Sequence, residues 1–256
     1  MPTVQGSADG ELKHMAIIMD GNNRWAREQN LKGLAGHRAG ADRLKKIVES
    51  CSSYGIDVLS VFAFSSENWS RPKQEVRGLL SLFSASLKRY KSELKSQNIA
   101  LKVIGRRDRF SAALQKQIRQ VEDETAGGTR TLVIAADYGG RWDVAQAASA
   151  LAQKVAQGRM STDEINEASM AQELSLAAFP PVDLLVRTGG EKRISNFFLW
   201  QIAYAELFFA NCYWPDFDET WLERAVNEFK QRQRRYGGNP EPIEFEQANG
   251  STETSC

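Results

Sequence analysis

Asp20-Gly21-Asn22-Asn23-Arg24-Trp25 sets a carboxylate, a turn-forming glycine and an arginine within a few residues, directly behind the apolar run His14–Met19. In an open α/β sheet, ligands bind beyond the carboxyl ends of the strands. A helix that starts there offers free N–H groups and the positive end of its dipole to an anion. A carboxylate beside a phosphate repels it unless a divalent cation sits between them. The stretch therefore reads as a metal-assisted phosphate or diphosphate site. Its plain alternative is an ordinary Asp-Gly turn with an Asn or Asp helix cap, and the rest of the chain must decide between them.

The strand His14–Met19 that would position Asp20 is the first of several. A helix is expected over 36–54, stopped by Gly55, with Leu44, Ile47, Val48 and Cys51 on one face. A buried strand over 56–64 runs into Ser65-Ser66-Glu67-Asn68-Trp69-Ser70-Arg71-Pro72. The helix expected over 75–97 carries Val76, Leu79, Leu80, Phe83, Leu87, Tyr90 and Leu94 as a broad apolar stripe, read first as a core-packing face. Beside a phosphate site, such a stripe also suits an amphiphile with a phosphorylated head and a hydrocarbon tail. Strand 99–104, helix 111–125, strand 131–136 and helix 141–157 follow, then short helical pieces to Pro181 and a strand over 182–186. Phe197–Ala210 is an apolar segment holding Glu206, and a last helix is expected over 218–236.

Repeated strand–helix alternation implies a single α/β domain with a mostly parallel central sheet flanked by helices. Its limits are read as 14–238, after a flexible lead-in over 1–13 and before a disordered tail over 239–256, a region with Glu241, Glu244, Glu246 and Glu253 but no Lys or Arg. In a parallel sheet the strand ends meet on one edge. That edge would gather Asp20, Asp137-Tyr138-Gly139-Gly140-Arg141-Trp142-Asp143 and Arg187-Thr188-Gly189-Gly190-Glu191-Lys192-Arg193. Carboxylates, arginines and glycine pairs in one place are what phosphate-bearing ligands require. Asp137 serves equally well as a cap for the helix beyond it, and Trp142 reads as a packing residue.

Several function classes are disfavoured. No Gly-x-x-x-x-Gly-Lys-Ser/Thr loop and no Gly-x-Gly-x-x-Gly turn supports nucleotide use. Asp-Asp-x-x-Asp clusters and a Gly-x-Ser-x-Gly elbow are both absent. With 33 basic and 32 acidic residues, charge gives no reason to expect nucleic acid. Three scattered cysteines fit a reduced, cytoplasmic setting, and two histidines make a histidine metal cluster improbable. No apolar run reaches the roughly 18 residues of a membrane span.

His14–Trp25 with Asp-Gly-Asn-x-Arg-Trp, Gly36-His37-x-x-Gly40 and Phe64-Ser65-Ser66-Glu67-Asn68-Trp69-x-Arg71-Pro72 occur in that order. Tyr138–Asp143, Arg187–Phe197, Trp200-Gln201-x-Ala203-Tyr204-x-Glu206 and Trp214-Pro215-Asp216-Phe217 follow them. Over 14–238 the chain resembles the cis-prenyltransferases, most closely the bacterial undecaprenyl diphosphate synthases. The resemblance implies an α/β domain with an apolar tunnel between sheet and helices. It also implies a Mg²⁺-dependent condensation of isopentenyl diphosphate onto farnesyl diphosphate, with cis double bonds, to a long polyprenyl diphosphate.

By the same resemblance, Asp20 engages Mg²⁺ with the diphosphates and Glu206 is a second acidic metal contact. Gly21, Asn22, Arg24, Trp25 and His37 hold the allylic substrate; Arg187, Arg193 and Ser195 hold isopentenyl diphosphate. Ser65, Asn68, Trp69 and Arg71 belong to a closing loop, with Asn68 positioning the proton acceptor. Arg235 and Gly237 reach a neighbouring subunit's site, so a homodimer is implied, and peripheral membrane contact would serve product release. The sequence departs from the pattern at Gly33, where arginine is common and Lys32 stands beside it, at Asp137 for asparagine and at Lys192 for histidine. Two other readings compete. A non-catalytic accessory subunit of the same fold is argued against by Asp20 and Arg24, and a phosphatase with Asp20 as nucleophile lacks its second aspartate, since Asn22 stands there.

Overall fold

Met15-Ala16-Ile17-Ile18 leaves no residue for solvent on either side, as a strand covered on both faces requires. It forms β1 (His14–Ile18), near the middle of a six-stranded parallel sheet. The computed structural model describes residues 11–232. β2 (Val58–Ser65) and β5 (Leu184–Arg187) flank β1; β4 (Arg130–Tyr138) and β3 (Ile99–Ile104) extend one side, and β6 (Glu206–Phe209) the other. The order is β3-β4-β2-β1-β5-β6.

Successive side chains of a strand face opposite ways, and β1 divides accordingly. Met15 and Ile17 join a core beneath α2 (Ala35–Cys51), α3 (Lys73–Ser96), α4 (Ala112–Glu124) and α7 (Glu219–Gln231). Ala16 and Ile18 join a second core with Tyr138, Phe197 and Phe198, whose rings stack or meet edge-on, next to α5 (Gly140–Ala156). The short helices α1 (Asn22–Glu28) and α6 (Glu167–Glu173) complete the helical layers.

Two buried polar groups fasten β1 to its surroundings. Asp183 accepts the backbone N–H groups of Lys13 and His14 at 2.8 and 2.9 Å. His14 donates from Nδ1 to the Pro180 carbonyl at 2.7 Å, so its Nε2 accepts the Ser60 hydroxyl at 2.8 Å. Ordered packing begins before His14, because Leu12 already belongs to the core.

The expected strands and helices are present, with shifted ends. β4 runs on to Tyr138, past the 131–136 expected, because Ser65 pairs with Tyr138 across a register shift. The apolar segment 197–210 divides into turns and the four-residue edge strand β6. Among the described residues no helix is long and apolar enough to cross a membrane. The tail over 239–256, with Arg235 and Gly237, lies outside the described residues.

Candidate active site

The strand order reverses between β1 and β5: β1 leads to β2 on one side, and β5 leads to β6 on the other. A reversal of this kind opens a crevice at the carboxyl edge of the sheet. Asp20 and Arg187 stand at that crevice, one from each strand. Arg187 Nη2 donates to Asp20 Oδ2 at 2.7 Å, and Arg24 Nη2 donates to Oδ1 at 3.2 Å. The Arg187 side chain is 4% exposed and that of Asp20 is 29% exposed, so solvent reaches the carboxylate more than the guanidinium, although both line the crevice.

Arg187 also organises the loop behind it, donating from Nη1 to the Arg193 carbonyl at 2.5 Å and the Ser195 hydroxyl at 2.7 Å. Ser195, Asn196 and Phe198 all adopt positive φ, at 47°, 64° and 48°. Such backbone persists only where its surroundings over-determine it. Asn196 supplies much of that restraint: its side chain donates to Glu67 at 2.9 Å and accepts the Arg141 N–H at 2.9 Å, and its carbonyl accepts the Gly140 N–H at 2.7 Å.

The turn after β1 is equally constrained. Its main-chain carbonyl at Asp20 accepts the Thr188 hydroxyl at 2.7 Å and the Trp214 N–H at 3.0 Å. Gly21 caps α1 at φ 105°, where a Cβ would lie 2.6 Å from Cδ1 of Tyr213. Arg24 packs over the Tyr213 ring, 5.4 Å from its centroid, and reaches Glu191 at 3.7 Å.

Below this rim lies a cavity of about 470 Å³ between the sheet and the helices α2 and α3. Asp20, Asn22, His37, Arg187, Arg193 and Ser195 line its mouth. The 65–71 segment lines it too, through Ser65, Asn68 and Arg71. Deeper, the lining becomes apolar: Leu44, Val48, Leu80, Phe83, Leu101 and Leu132. The α3 stripe is thus only in part a packing face, since along that helix Leu79, Leu80, Phe83 and Leu87 border the cavity while Val76 is buried away from it.

Three polar atoms near the mouth are buried without a partner in the protein: Asn22 Oδ1, His37 Nε2 and Arg187 Nε. Buried polar groups nearly always have one, so the mouth holds hydrogen-bonding capacity that the protein itself does not use. Burial, and after it the nearby Arg71 charge, lowers the His37 pKa to about 4. His37 is therefore neutral near pH 7, and an arriving anion would raise that value.

Other expected site residues lie beside the cavity. Trp25 Nε1 donates to Asp216 at 2.8 Å. Trp69 packs edge-on against Phe64, beneath the Arg109 guanidinium at 4.3 Å. Asp137 does not cap α5, whose cap is Gly139 without a side-chain bond. It is fully buried at φ 52°, with Arg109 at 3.5 Å, and burial raises its pKa. Glu206 is level with Leu184 at the start of β6, whereas Phe209 is level with Arg187 at the other end. Its carboxylate meets Arg232 at 2.8 Å, so within one chain it is not brought to Asp20. Thr188, Glu191, Asn196 and Tyr213 complete the site, though sequence reasoning gave them no part. Their signal was adjacency to the strand ends, which singles out no particular side chain.

The model of a family described as putative undecaprenyl diphosphate synthase matches residues 18–237. The chain belongs to this family. It is 48% identical over 233 residues to a ditrans,polycis-undecaprenyl-diphosphate synthase of Pseudomonas putida described as (2E,6E)-farnesyl-diphosphate specific, covering 91% of this chain and 93% of that one. The Escherichia coli K12 protein of the same description is 50% identical over 227 residues, covering 88% and 90%. Among solved structures, lavandulyl diphosphate synthase from Lavandula x intermedia in complex with dimethylallyl diphosphate superposes with a TM-score of 0.85 at 36% identity, covering 88% of this chain and 98% of that one. A probable undecaprenyl diphosphate synthase from Campylobacter jejuni gives 0.74 at 33% identity, covering 89% and 99%.

Family membership gives the departures from its motifs a structural setting. Gly33 has φ 60° with nothing within 4 Å of where a Cβ would stand, so the position is open. Lys192 is exposed and borders a separate groove between β6 and α7.

Proposed function

We propose that this protein is a cis-prenyltransferase that elongates farnesyl diphosphate with isopentenyl diphosphate to a long polyprenyl diphosphate of the undecaprenyl type, the lipid-carrier precursor for bacterial peptidoglycan synthesis. The observation that carries the reading is the Asp20–Arg187 pair at the mouth of an apolar cavity, where a charged head and a hydrocarbon tail find opposite ends of one site. The family resemblance supplies the reaction.

In that reaction the carbon–oxygen bond of the allylic diphosphate breaks and diphosphate leaves with the electron pair. The double bond of isopentenyl diphosphate supplies electrons to the freed carbon, and loss of a proton from the adduct creates the new cis double bond. Negative charge therefore develops on the departing oxygen, where fixed cationic donors are most effective. Arg71, Arg187 and Arg193 line the cavity, and Arg24 pairs with Asp20 at its mouth. Asn22 and His37 present unpartnered polar atoms to the allylic diphosphate, while Arg187, Arg193 and Ser195 hold isopentenyl diphosphate. Asn68 accepts the Ser65 N–H at 3.0 Å through Oδ1, which leaves its amide N–H groups to orient the proton acceptor.

Mg²⁺ fits this donor set. It is commonly held by one or two carboxylates plus substrate phosphates, with water completing the shell. Asp20, partly exposed and beside the unpartnered mouth atoms, can act in that way. Among the described residues no group of three His, Cys, Asp or Glu forms a cage for a metal alone. When bound, the ion neutralises charge on the diphosphates. Glu206 as a second contact rests on the resemblance and lies elsewhere in the single chain.

A homodimer is part of this proposal. β6 is the sheet's edge strand, and Leu199, Trp200 and Tyr204 in the segment before it are 37–63% exposed. We also assign a cytoplasmic location, with peripheral membrane contact at product release and no nucleic-acid partner. Incubation with farnesyl diphosphate, labelled isopentenyl diphosphate and Mg²⁺ should yield long cis products. Absence of any chain extension would overturn the assignment, and turnover by the purified chain excludes an accessory role.

A further inference from the structure

α3 presents two unlike faces. Its inner side borders the apolar cavity. The exposed positions of its outer side include Lys73, Arg77, Lys88 and Lys95, and no carboxylate. The helix does hold two glutamates, but both are half-buried and engaged, Glu75 with Arg71 at 3.0 Å and Glu93 with Lys45 at 2.8 Å. Arg89, the other exposed cation, is paired with Asp42 of α2 at 3.0 Å. Lys95 stands near Glu124 of α4, which Lys91 already meets at 2.9 Å. Among the described residues, Lys73, Arg77 and Lys88 meet no acidic partner. By helix geometry the four cations fall within an arc of about 60° and along about 33 Å of one ridge. Between them the exposed Ser81, Ala85 and Ser92 are small and uncharged, so the cations stand clear. The whole chain balances 33 basic against 32 acidic residues, so the ridge is not one part of a generally basic surface. α3 packs on β3 and α4, and β3 is the sheet edge opposite β6. A dimer formed through β6 therefore leaves the ridge uncovered.

We infer that this ridge docks the protein on a membrane surface rich in anionic lipid. It names the surface for the peripheral contact proposed above. A straight row of unpaired cations fits a plane of negative headgroups, and basic side chains near such a surface are held there by its potential. Among the described residues no helix is apolar enough to cross the bilayer, so the protein lies on the surface and does not span it. The choice of a bilayer over another polyanion rests on the activity proposed above. The product of that activity is a hydrocarbon chain, and docking by the outer side of α3 sets the wall of the cavity against the layer that receives it.

Sedimentation of the full chain with lipid vesicles reads docking without turnover, so failure of the dock and failure of the activity are told apart. The protein should bind vesicles of phosphatidylcholine mixed with phosphatidylglycerol and leave pure phosphatidylcholine alone. Salt at about 0.5 M should release it, because screening shortens the reach of the charges. Each Lys or Arg near an anionic surface contributes about fivefold to partitioning, so Arg77→Ala/Lys88→Ala should weaken binding by about 25-fold. Arg77→Glu should weaken it strongly, whereas Arg159→Glu should change it little. Arg159 is exposed just beyond α5, on the other side of the sheet, and its reversal makes the same change in net charge. All three positions are exposed, and circular dichroism checks that each variant keeps its fold. Binding to neither kind of vesicle, equal binding to both, or equal losses from the two charge reversals would overturn the dock. Tighter binding to polyuridylate RNA, lost in the same alanine pair, would overturn it too and give the ridge to a nucleic acid.

Discussion

Asp20 and Arg187 hold each other, but water reaches one far more than the other, and their replacement should show it. Asp20→Ala removes the carboxylate at the mouth and leaves the buried guanidinium with two uncharged acceptors, Arg193 O and Ser195 Oγ. Turnover should fall by roughly 10³-fold or more, with a loss of about 1–3 kcal/mol in stability from the charged hydrogen bond. A denaturant melt beside the steady-state assay checks both, and normal turnover in a folded variant would refute the role. Arg193 is wired differently, its side chain 59% exposed and paired with Glu191. Arg193→Ala should therefore leave stability within about 0.5 kcal/mol and raise the Michaelis constant for isopentenyl diphosphate by ~10-fold or more. An unchanged constant would discredit that contact. Both residues are legible in the sequence as charges following strands. That Arg187 is buried and Arg193 exposed is not, because burial depends on the fold of the 187–196 loop.

At the scale of the elements, each strand–helix junction imposes its own backbone demand. Gly21 joins β1 to α1 at φ 105°, and a methyl group there would press on Tyr213. Gly21→Ala should cost at least ~2 kcal/mol, combining an unfavourable φ with that clash, and should weaken binding of the allylic substrate, as calorimetry with a non-reactive analogue would show. The end of β4 behaves in the opposite sense. Burial raises the Asp137 pKa above its ordinary value of 3.8, although Trp69, Arg109 and Arg106 pull it down. The native state then holds that proton more tightly than the unfolded chain, so its titration lowers stability as pH rises through the raised pKa. Asp137→Asn should unfold at an equal or higher temperature than the native protein at pH 7, with the gain shrinking towards acid. A lower melting temperature at pH 7 would show that the arginines prevail. The sequence left Asp137 open between cap and ligand. It is not the cap, because the chain turns at φ 52° and places it beside Arg109.

For the whole molecule, buried apolar runs alternating with amphipathic stretches make the parallel sheet readable in advance. The order β3-β4-β2-β1-β5-β6 is not, since it depends on pairings between segments as far apart as β1 and β5. The edge strand β6 escapes for another reason: four residues within an aromatic-rich run show no period. The assembled fold nevertheless has a global property that no local pattern displays. Its two histidines, His14 at the start of β1 and His37 at the cavity mouth, are both held near pKa 4 rather than 6.5, chiefly by burial. Pro180 and Asp183 oppose the shift at His14, and Glu75 opposes it at His37, without reversing either. Between those values the unfolded chain binds protons that the native protein does not, so stability must fall as pH drops from 6.5 towards 4. The fully buried His14 alone accounts for roughly 3 kcal/mol over that interval. Urea titrations at pH 7.5, 5.5 and 4.5 should show the midpoint falling, and His14→Gln should flatten the fall while lowering stability at pH 7.5. Bound diphosphate distinguishes the two histidines: it favours protonated His37 and not His14, so saturating ligand should reduce the acid loss only partly. A midpoint independent of pH across this range would overturn the account of both.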